Sequence, residues 1–119
     1  MISIAVIIND NFYKKVIGSS ISFTSIFGAT EILNHHSDIF SIVKPGIVNI
    51  KINGGNEDIH YFIFDGLISF LNNNEATIVT TKLFDLDIAD EKEKSILINK
   101  LRNENIANYE NIIKKINDI

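Results

Sequence analysis

The 119-residue sequence contains no cysteine, no tryptophan, one proline and one methionine. Without cysteine there is no disulfide framework, no thiolate zinc site and no cysteine nucleophile, which fits a reducing compartment. Basic residues are also scarce, 11 Lys and Arg against 15 Asp and Glu for a net charge of -4. Phosphate binding needs a basic footprint, so no nucleic-acid partner is expected. The apolar run Ile4-Ala5-Val6-Ile7-Ile8 is too short for a membrane span and too poorly flanked for a signal peptide. The expectation is a soluble chain with no direct membrane insertion. What is present, 45% hydrophobic and 22% charged residues, suffices for one real core and a small appendage.

The stretch from Ser25 to Ile52 organises the rest. Lys44-Pro45-Gly46 reads as a turn, with φ of Pro45 fixed and Gly46 free to take a positive φ. From it leaves a strand, Ile47 to Ile52, in which Val48, Ile50 and Ile52 alternate with Asn49 and Lys51. Ile39, Phe40, Ile42 and Val43 form a short apolar segment upstream, and Phe27 to Asp38 reads as an irregular loop around Gly28, Asn34, His35, His36 and Ser37.

On either side the pattern is β-like. Ile2 to Ile8 and Phe12 to Ile17 flank Asn9-Asp10-Asn11 as a hairpin, and Ser19 to Thr24 alternates around Ile21 and Phe23. Asn53-Gly54-Gly55-Asn56 predicts a tight hairpin turn into a return strand, Asp58 to Phe64. Both faces of that strand are largely apolar, so it is expected where two surfaces are covered. Asp65-Gly66 is a turn, and Leu67 to Leu71 and Ala76 to Thr81 follow as strands around Asn72-Asn73-Asn74. Short strands without helix-length crossovers predict a β-sandwich or barrel rather than a parallel α/β sheet, and residues 1–84 are read here as an antiparallel β-sandwich.

From Asp85 onward glycine disappears. Asp90 with Glu93 has capping-box spacing, and Asp87 is an equally good N-cap. Ile96, Leu97, Lys100 and Leu101 continue a first helix. After Asn103 to Asn105, residues Ile106, Tyr109, Ile112, Ile113 and Ile116 give a second, with Lys114 and Lys115 suited to its C-terminal dipole. Residues 85–119 therefore read as an antiparallel two-helix hairpin, and the fold class is α+β.

This order, with its local residues, resembles the epsilon subunit of rotary F-type ATP synthases, equivalent to the mitochondrial delta subunit. The family's glycine loop corresponds to Gly28, and its Pro-Gly-His-Ala-Pro to Asn34-His35-His36-Ser37-Asp38. Its Lys-Pro-Gly strand start is Lys44-Pro45-Gly46-Ile47-Val48, its Ser/Ala-Gly-Gly is Phe64-Asp65-Gly66, and its Val-Thr-Val/Ile-Leu strand is Ala76-Thr77-Ile78-Val79. Asp85-Leu86-Asp87-Ile88 echoes its approach to the first helix. In the loop only His36 keeps the family residue, and Ala29 stands where an acidic residue is usual.

The resemblance implies a non-catalytic central-stalk subunit without cofactor, which binds the gamma subunit and the c-ring and couples proton-driven rotation to ATP synthesis. Its implied place is peripheral, on the cytoplasmic face of the bacterial inner membrane. By residue-wise carry-over Phe27, Gly28, Ala29 and Thr30 face the c-ring, while His36, Lys44, Pro45 and Gly46 organise the loop. The C-terminal helices would reach alpha or beta subunits, with at most weak inhibition of ATP hydrolysis, since the second helix spans only about 20 Å. The ATP-binding motif of some members falls on Leu86-Asp87-Ile88-Ala89-Asp90-Glu91 and has Asp90 where arginine belongs, so no ATP site is expected.

Other readings remain open from sequence alone. Glu31, His35, His36 and Asp38 contain metal-ligand residue types, but neighbouring loop residues rarely converge on one ion, and histidines bonded to backbone explain them as well. Asp85, Asp87, Asp90 and Glu91 lack the glycine-centred loop of a calcium site, and helix capping accounts for them. No metal site is therefore expected at either cluster. His60 reads as a core or interface histidine rather than a base. A free-standing β-sandwich binding module, or a metal-dependent enzyme using the Glu31/His35/His36/Asp38 loop, are the alternatives to a rotor subunit.

Overall fold

The computed structural model describes residues 1–52, 57–72 and 74–119. Among them are ten strands and two helices: β1 (Ile2–Ile8), β2 (Asn11–Gly18), β3 (Ser20–Ser25), β4 (Gly28–Leu33), β5 (Ile39–Val43), β6 (Gly46–Ile52), β7 (Glu57–Ile63), β8 (Gly66–Leu71), β9 (Glu75–Thr80), β10 (Leu83–Asp85), α1 (Glu91–Asn103) and α2 (Tyr109–Asp118). The strands form one curled sheet in the order β10-β7-β6-β3-β5-β8-β9-β1-β2, with β4 added to β3. The halves β10-β7-β6-β3-β4 and β5-β8-β9-β1-β2 share one filling, made by alternate residues such as Ile4, Ile21, Ile50, Ile68, Phe70 and Ile78. The α+β expectation is borne out. One ladder departs from the antiparallel rule, because β1 runs parallel to β9, from Ser3↔Glu75 to Ile8↔Thr80.

Local signals account for most connections. Asn9 and Asp10 take φ of 50° and 66°, the pair of left-handed residues that joins β1 to β2 with matching twist. The Asn53 to Asn56 turn lies outside the described residues. Gly66 opens β8 where a Cβ would stand 2.5 Å from the Val79 carbonyl oxygen, so only glycine lets β8 meet β9 there.

The Phe27 to Asp38 segment differs from its reading as a loop. Six of its residues form β4, paired with β3 from Ser25↔Gly28 to Ser20↔Leu33. Only Ile32 is buried in that strand. An edge strand with one anchored side chain carries no alternation to read. Gly46, the first residue of β6 and opposite Ile63, does not need the positive φ anticipated for it.

The outer face of β7 and its neighbours carries the helices. Phe62 lies beside Ile47 on β6 and Phe84 on β10, and with Phe64 these aromatics pack edge-to-face at 4.9 to 6.5 Å. Leu97 and Leu101 of α1 and Ile113 and Ile116 of α2 close over them. Asp90 caps α1, accepting from the Glu93 amide at 2.8 Å, and Glu91 and Glu93 suit the N-terminal dipole. Asp87, the other candidate cap, is used elsewhere. Ile96, expected in the α1 stripe, is 55% exposed, because the stripe runs through Leu97 and Leu101 one position further round. Asn105 and Asn108, both left-handed, delay α2 until Tyr109, while Ile106 still packs on the helical cluster. Lys94 near the start of α1 donates to the Ile119 carbonyl just past α2, so the helices run antiparallel.

Truncating Phe62 removes the centre of this second core. Phe62→Ala is expected to cost about 3 to 5 kcal/mol in urea unfolding. Hydrogen exchange should show α1 and α2 losing protection before the β1·β9 ladder does; equal loss in both would contradict separate packing of the helices.

Candidate functional site

Two exposed surfaces stand out, both built by the sandwich. The first is the tip between β3 and β4. Ser25 is buried, and its hydroxyl accepts from the Phe27 amide at 3.1 Å and lies 3.2 Å from the Gly28 carbonyl. Thr30 Oγ1 lies 3.1 Å from both Ser25 Oγ and the Gly28 carbonyl. Gly28 has φ of 113°, a backbone state that side chains rarely adopt, although a Cβ there would touch nothing. These bonds hold the turn rigid, and they lift Phe27 to 93% exposure with Ile26 beside it at 45%. No residue from Ser25 to Thr30 is charged.

The tip is braced from β5. The Ile26 amide donates to Ile42, and the Lys44 amide donates to Thr24 at 2.8 Å. Phe27, Gly28, Ala29 and Thr30 therefore sit together near Lys44, Pro45 and Gly46. His36 does not join them, since it lies at the opposite end of β4 and β5, its amide bonded to Leu33. Its Nδ1 is 2.6 Å from the Ser37 carbonyl, and its ring meets Phe70 edge-on at 6.1 Å. His35 takes φ of 63° at the position aligned with the family glycine, and its amide donates to the Asn74 side chain.

The second surface is the outer face of β5-β8-β9-β1-β2. Register aligns Ile42 with Leu67, Leu67 with Val79, Val79 with Ile7 and Ile7 with Phe12. All five point away from the core. Ile42 and Phe12 are 52% and 66% exposed, and Phe40 beside the row is 68% exposed. An uninterrupted apolar row across five strands is thus left uncovered. Sequence reading found the strands and missed this row, because it appears only once the register is known. The apolar residues on both parities of Ile2 to Ile8 and Ile39 to Val43 were the available signal.

The remaining candidates have structural partners. Asp87 receives the His60 amide at 2.8 Å and meets His60 Nδ1 at 2.9 Å, tying the approach to α1 onto β7. Glu31 Oε2 receives the Ser22 hydroxyl at 3.2 Å. Among the described residues no three His, Asp or Glu side chains are grouped to hold a metal ion, so Glu31, His35, His36 and Asp38 are not brought together. Asp90, where the ATP motif would place arginine, is the α1 cap. Tyr61 is 1% exposed, and its hydroxyl has no hydrogen-bond partner among the described residues. Burial, followed by the charge of nearby Asp85, pushes its pKa from 10.0 up to about 12.

No protein-family model matches the chain. Over 88 residues it is 30% identical to the ATP synthase epsilon chain of Pelagibacter ubique (strain HTCC1062), covering 74% of this chain and 65% of that relative. The chain thus spans less than two thirds of that relative's length. Its fold matches a chain in the Euglena gracilis mitochondrial ATP synthase structure, OSCP/F1/c-ring in rotational state 1, with TM-score 0.70 and 19% identity over 98% of this chain and 72% of the other. A chain of the Tetrahymena thermophila mitochondrial ATP synthase central stalk/c-ring structure matches with TM-score 0.64 and 14% identity, over 94% and 96% of the two. The resemblance to epsilon subunits is borne out in sequence by the first and in fold by the others.

The buried tyrosine makes stability depend on alkaline pH. Its folded pKa lies above the unfolded value, so the stabilisation from keeping it neutral is complete below pH 10.0 and is lost as pH rises through about 12. The loss should amount to about 2 to 3 kcal/mol. Urea titrations across that range check this, and Tyr61→Phe should show a flatter decline than the native chain.

Proposed function

We propose that the chain is an epsilon-type central-stalk subunit of a rotary F-type ATP synthase. In this reading it does no chemistry, holds gamma on the outer face of β5-β8-β9-β1-β2, and meets the c-ring through the Phe27 to Thr30 tip. The observation that carries it is the uncovered row Ile42, Leu67, Val79, Ile7 and Phe12, on a chain alike in sequence to an ATP synthase epsilon chain. Leaving that row in water forgoes about 25 cal/mol for each square ångström of apolar area that a partner could cover.

Such a subunit must transmit torque, which calls for stiffness between its contact surfaces. The tip and the row share β5: Ile42 belongs to the row, and its carbonyl accepts the Ile26 amide at the tip. A push on Phe27 thus reaches the gamma-facing sheet through backbone hydrogen bonds rather than side-chain packing alone. Because the tip carries no charge, its contact with the ring is apolar and insensitive to salt. The chain would sit peripherally at the cytoplasmic face of the bacterial inner membrane. No helix among the described residues is long and apolar enough to cross a membrane.

The helical pair has a limited reach. At ten residues α2 is about 15 Å long, shorter than its sequence pattern implied. Contacts with alpha and beta subunits, and any inhibition of ATP hydrolysis, are accordingly weak, and with Asp90 committed as a cap no nucleotide site forms there.

Co-purification with the gamma subunit of the same operon tests the reading. Phe12→Glu/Ile42→Glu should weaken the complex by at least about tenfold, while deletion of residues 86–119 should leave it intact. Phe27→Asp should uncouple proton flow from synthesis without releasing gamma. Failure of the native chain to bind gamma would refute the proposal, and a strong rise in ATP hydrolysis on deletion would refute weak inhibition.

A further inference from the structure

The outer face given to gamma has relief as well as apolarity. Beside the row from Ile42 to Phe12, register lines up two more: Phe40, Ser69, Thr77, Ala5 and Lys15, then Leu71, Glu75, Ser3 and Ile17. Neighbouring rows on one face lie two residues apart along the strands, about 7 Å, so the outer two rows stand about 14 Å apart. Between them the middle row is small on β8, β9 and β1, where Ser69, Thr77 and Ala5 stand half-buried. It is large only at its ends, Phe40 at 68% exposure on β5 and Lys15, also exposed, on β2. The face is therefore a trough that crosses the strands. Leu67, Val79 and Ile7 wall one side, and Leu71 and Ile17, at 43% and 52% exposure, wall the other. With strands about 4.8 Å apart, it runs about 19 Å from Phe40 to Lys15.

An α-helix with its side chains is about 10 to 12 Å across and covers about 19 Å in about 13 residues, so it fits between the walls and fills the trough from end to end. A second sheet laid on the walls would leave space above Ser69, Thr77 and Ala5, and unfilled apolar space forfeits contact. Charge fixes the direction. Lys15 is the one cation in these rows, and among the described residues it makes no ion pair. A helix C-terminus carries the negative end of the macrodipole. We infer, resting on the stalk reading, that gamma seats an amphipathic α-helix along the Phe40 to Lys15 row, with its C-terminal end over Lys15.

Cysteine pairing with gamma tests this, because the chain has no cysteine of its own. Ser69→Cys, Thr77→Cys and Ala5→Cys are each combined with a scan of single cysteines along a cysteine-free gamma, and disulfides, which form only at close approach, are read after oxidation. From one strand to the next the best-linked gamma position should rise by about three residues, hence about six from Ser69 to Ala5; an extended segment would advance by about three over the whole distance. Thr77→Trp and Ser69→Trp add apolar area yet fill the trough, so each should weaken gamma binding by about tenfold or more while the amide protection of the β1·β9 ladder stays native. Lys15→Glu should weaken it, and Lys15→Arg should not. Tryptophan variants that bind as tightly as the native chain, full affinity in the Lys15→Glu chain, an advance of only about three residues, or a numbering that falls from Ser69 to Ala5 would each overturn the helix while leaving gamma binding in place. Failure of the native chain to bind gamma would instead remove the stalk reading, and this helix with it.

Discussion

Burial of β7 on both faces is the constraint on which the rest depends. Tyr61, Phe62 and Ile63 are consecutive and none exceeds 1% exposure. Alternation sends Tyr61 and Ile63 into the sandwich filling and Phe62 into the helical core. One strand thus belongs to two cores. The helices cannot be an independent appendage, because their inner stripe is completed by aromatics that the sheet supplies. The sheet in turn would expose Phe62, Phe64 and Phe84 without them. Asp87 fastens the same junction from the polar side, binding both the amide and the ring of His60.

How much of this was legible in sequence follows from where each signal resides. The β1–β2 turn, the doubly apolar β7 and the Asp90 cap are written in nearest neighbours, and the structure agrees with them. β4 was hidden because an edge strand buries only Ile32, so its pattern looks like a loop. Ile96 was misassigned within α1 because three adjacent apolar residues, Ile96, Leu97 and Ile98, leave the stripe's phase undecided until the facing surface is known. The parallel β1·β9 ladder and the outer apolar row lay beyond local reading altogether. Both depend on which strands become neighbours, and that is settled by closure of the whole sheet.

The tip shows how few residues suffice to make a firm contact point. A buried serine hydroxyl serves two backbone groups and a threonine, and a single glycine takes the backbone conformation that the turn requires. Phe27 is consequently exposed by construction rather than by fraying. No residue from Ser25 to Thr30 is charged, so the chain presents apolar area at this protruding point. An apolar contact made there would be non-directional and unaffected by ionic strength.

The β1·β9 ladder also bears on how the chain acquires its shape during synthesis. Ser3 must find Glu75, so β1 waits for nearly the whole sandwich before its second edge is paired. A hairpin of β1 and β2 can form early, yet throughout that interval it presents an open edge together with Ile7 and Phe12. Pairing at such sequence separation slows folding through the loop entropy it must overcome. A nascent chain of this kind is most vulnerable to self-association between the emergence of its second strand and its ninth, and that window closes only when Thr80 has emerged to pair with Ile8.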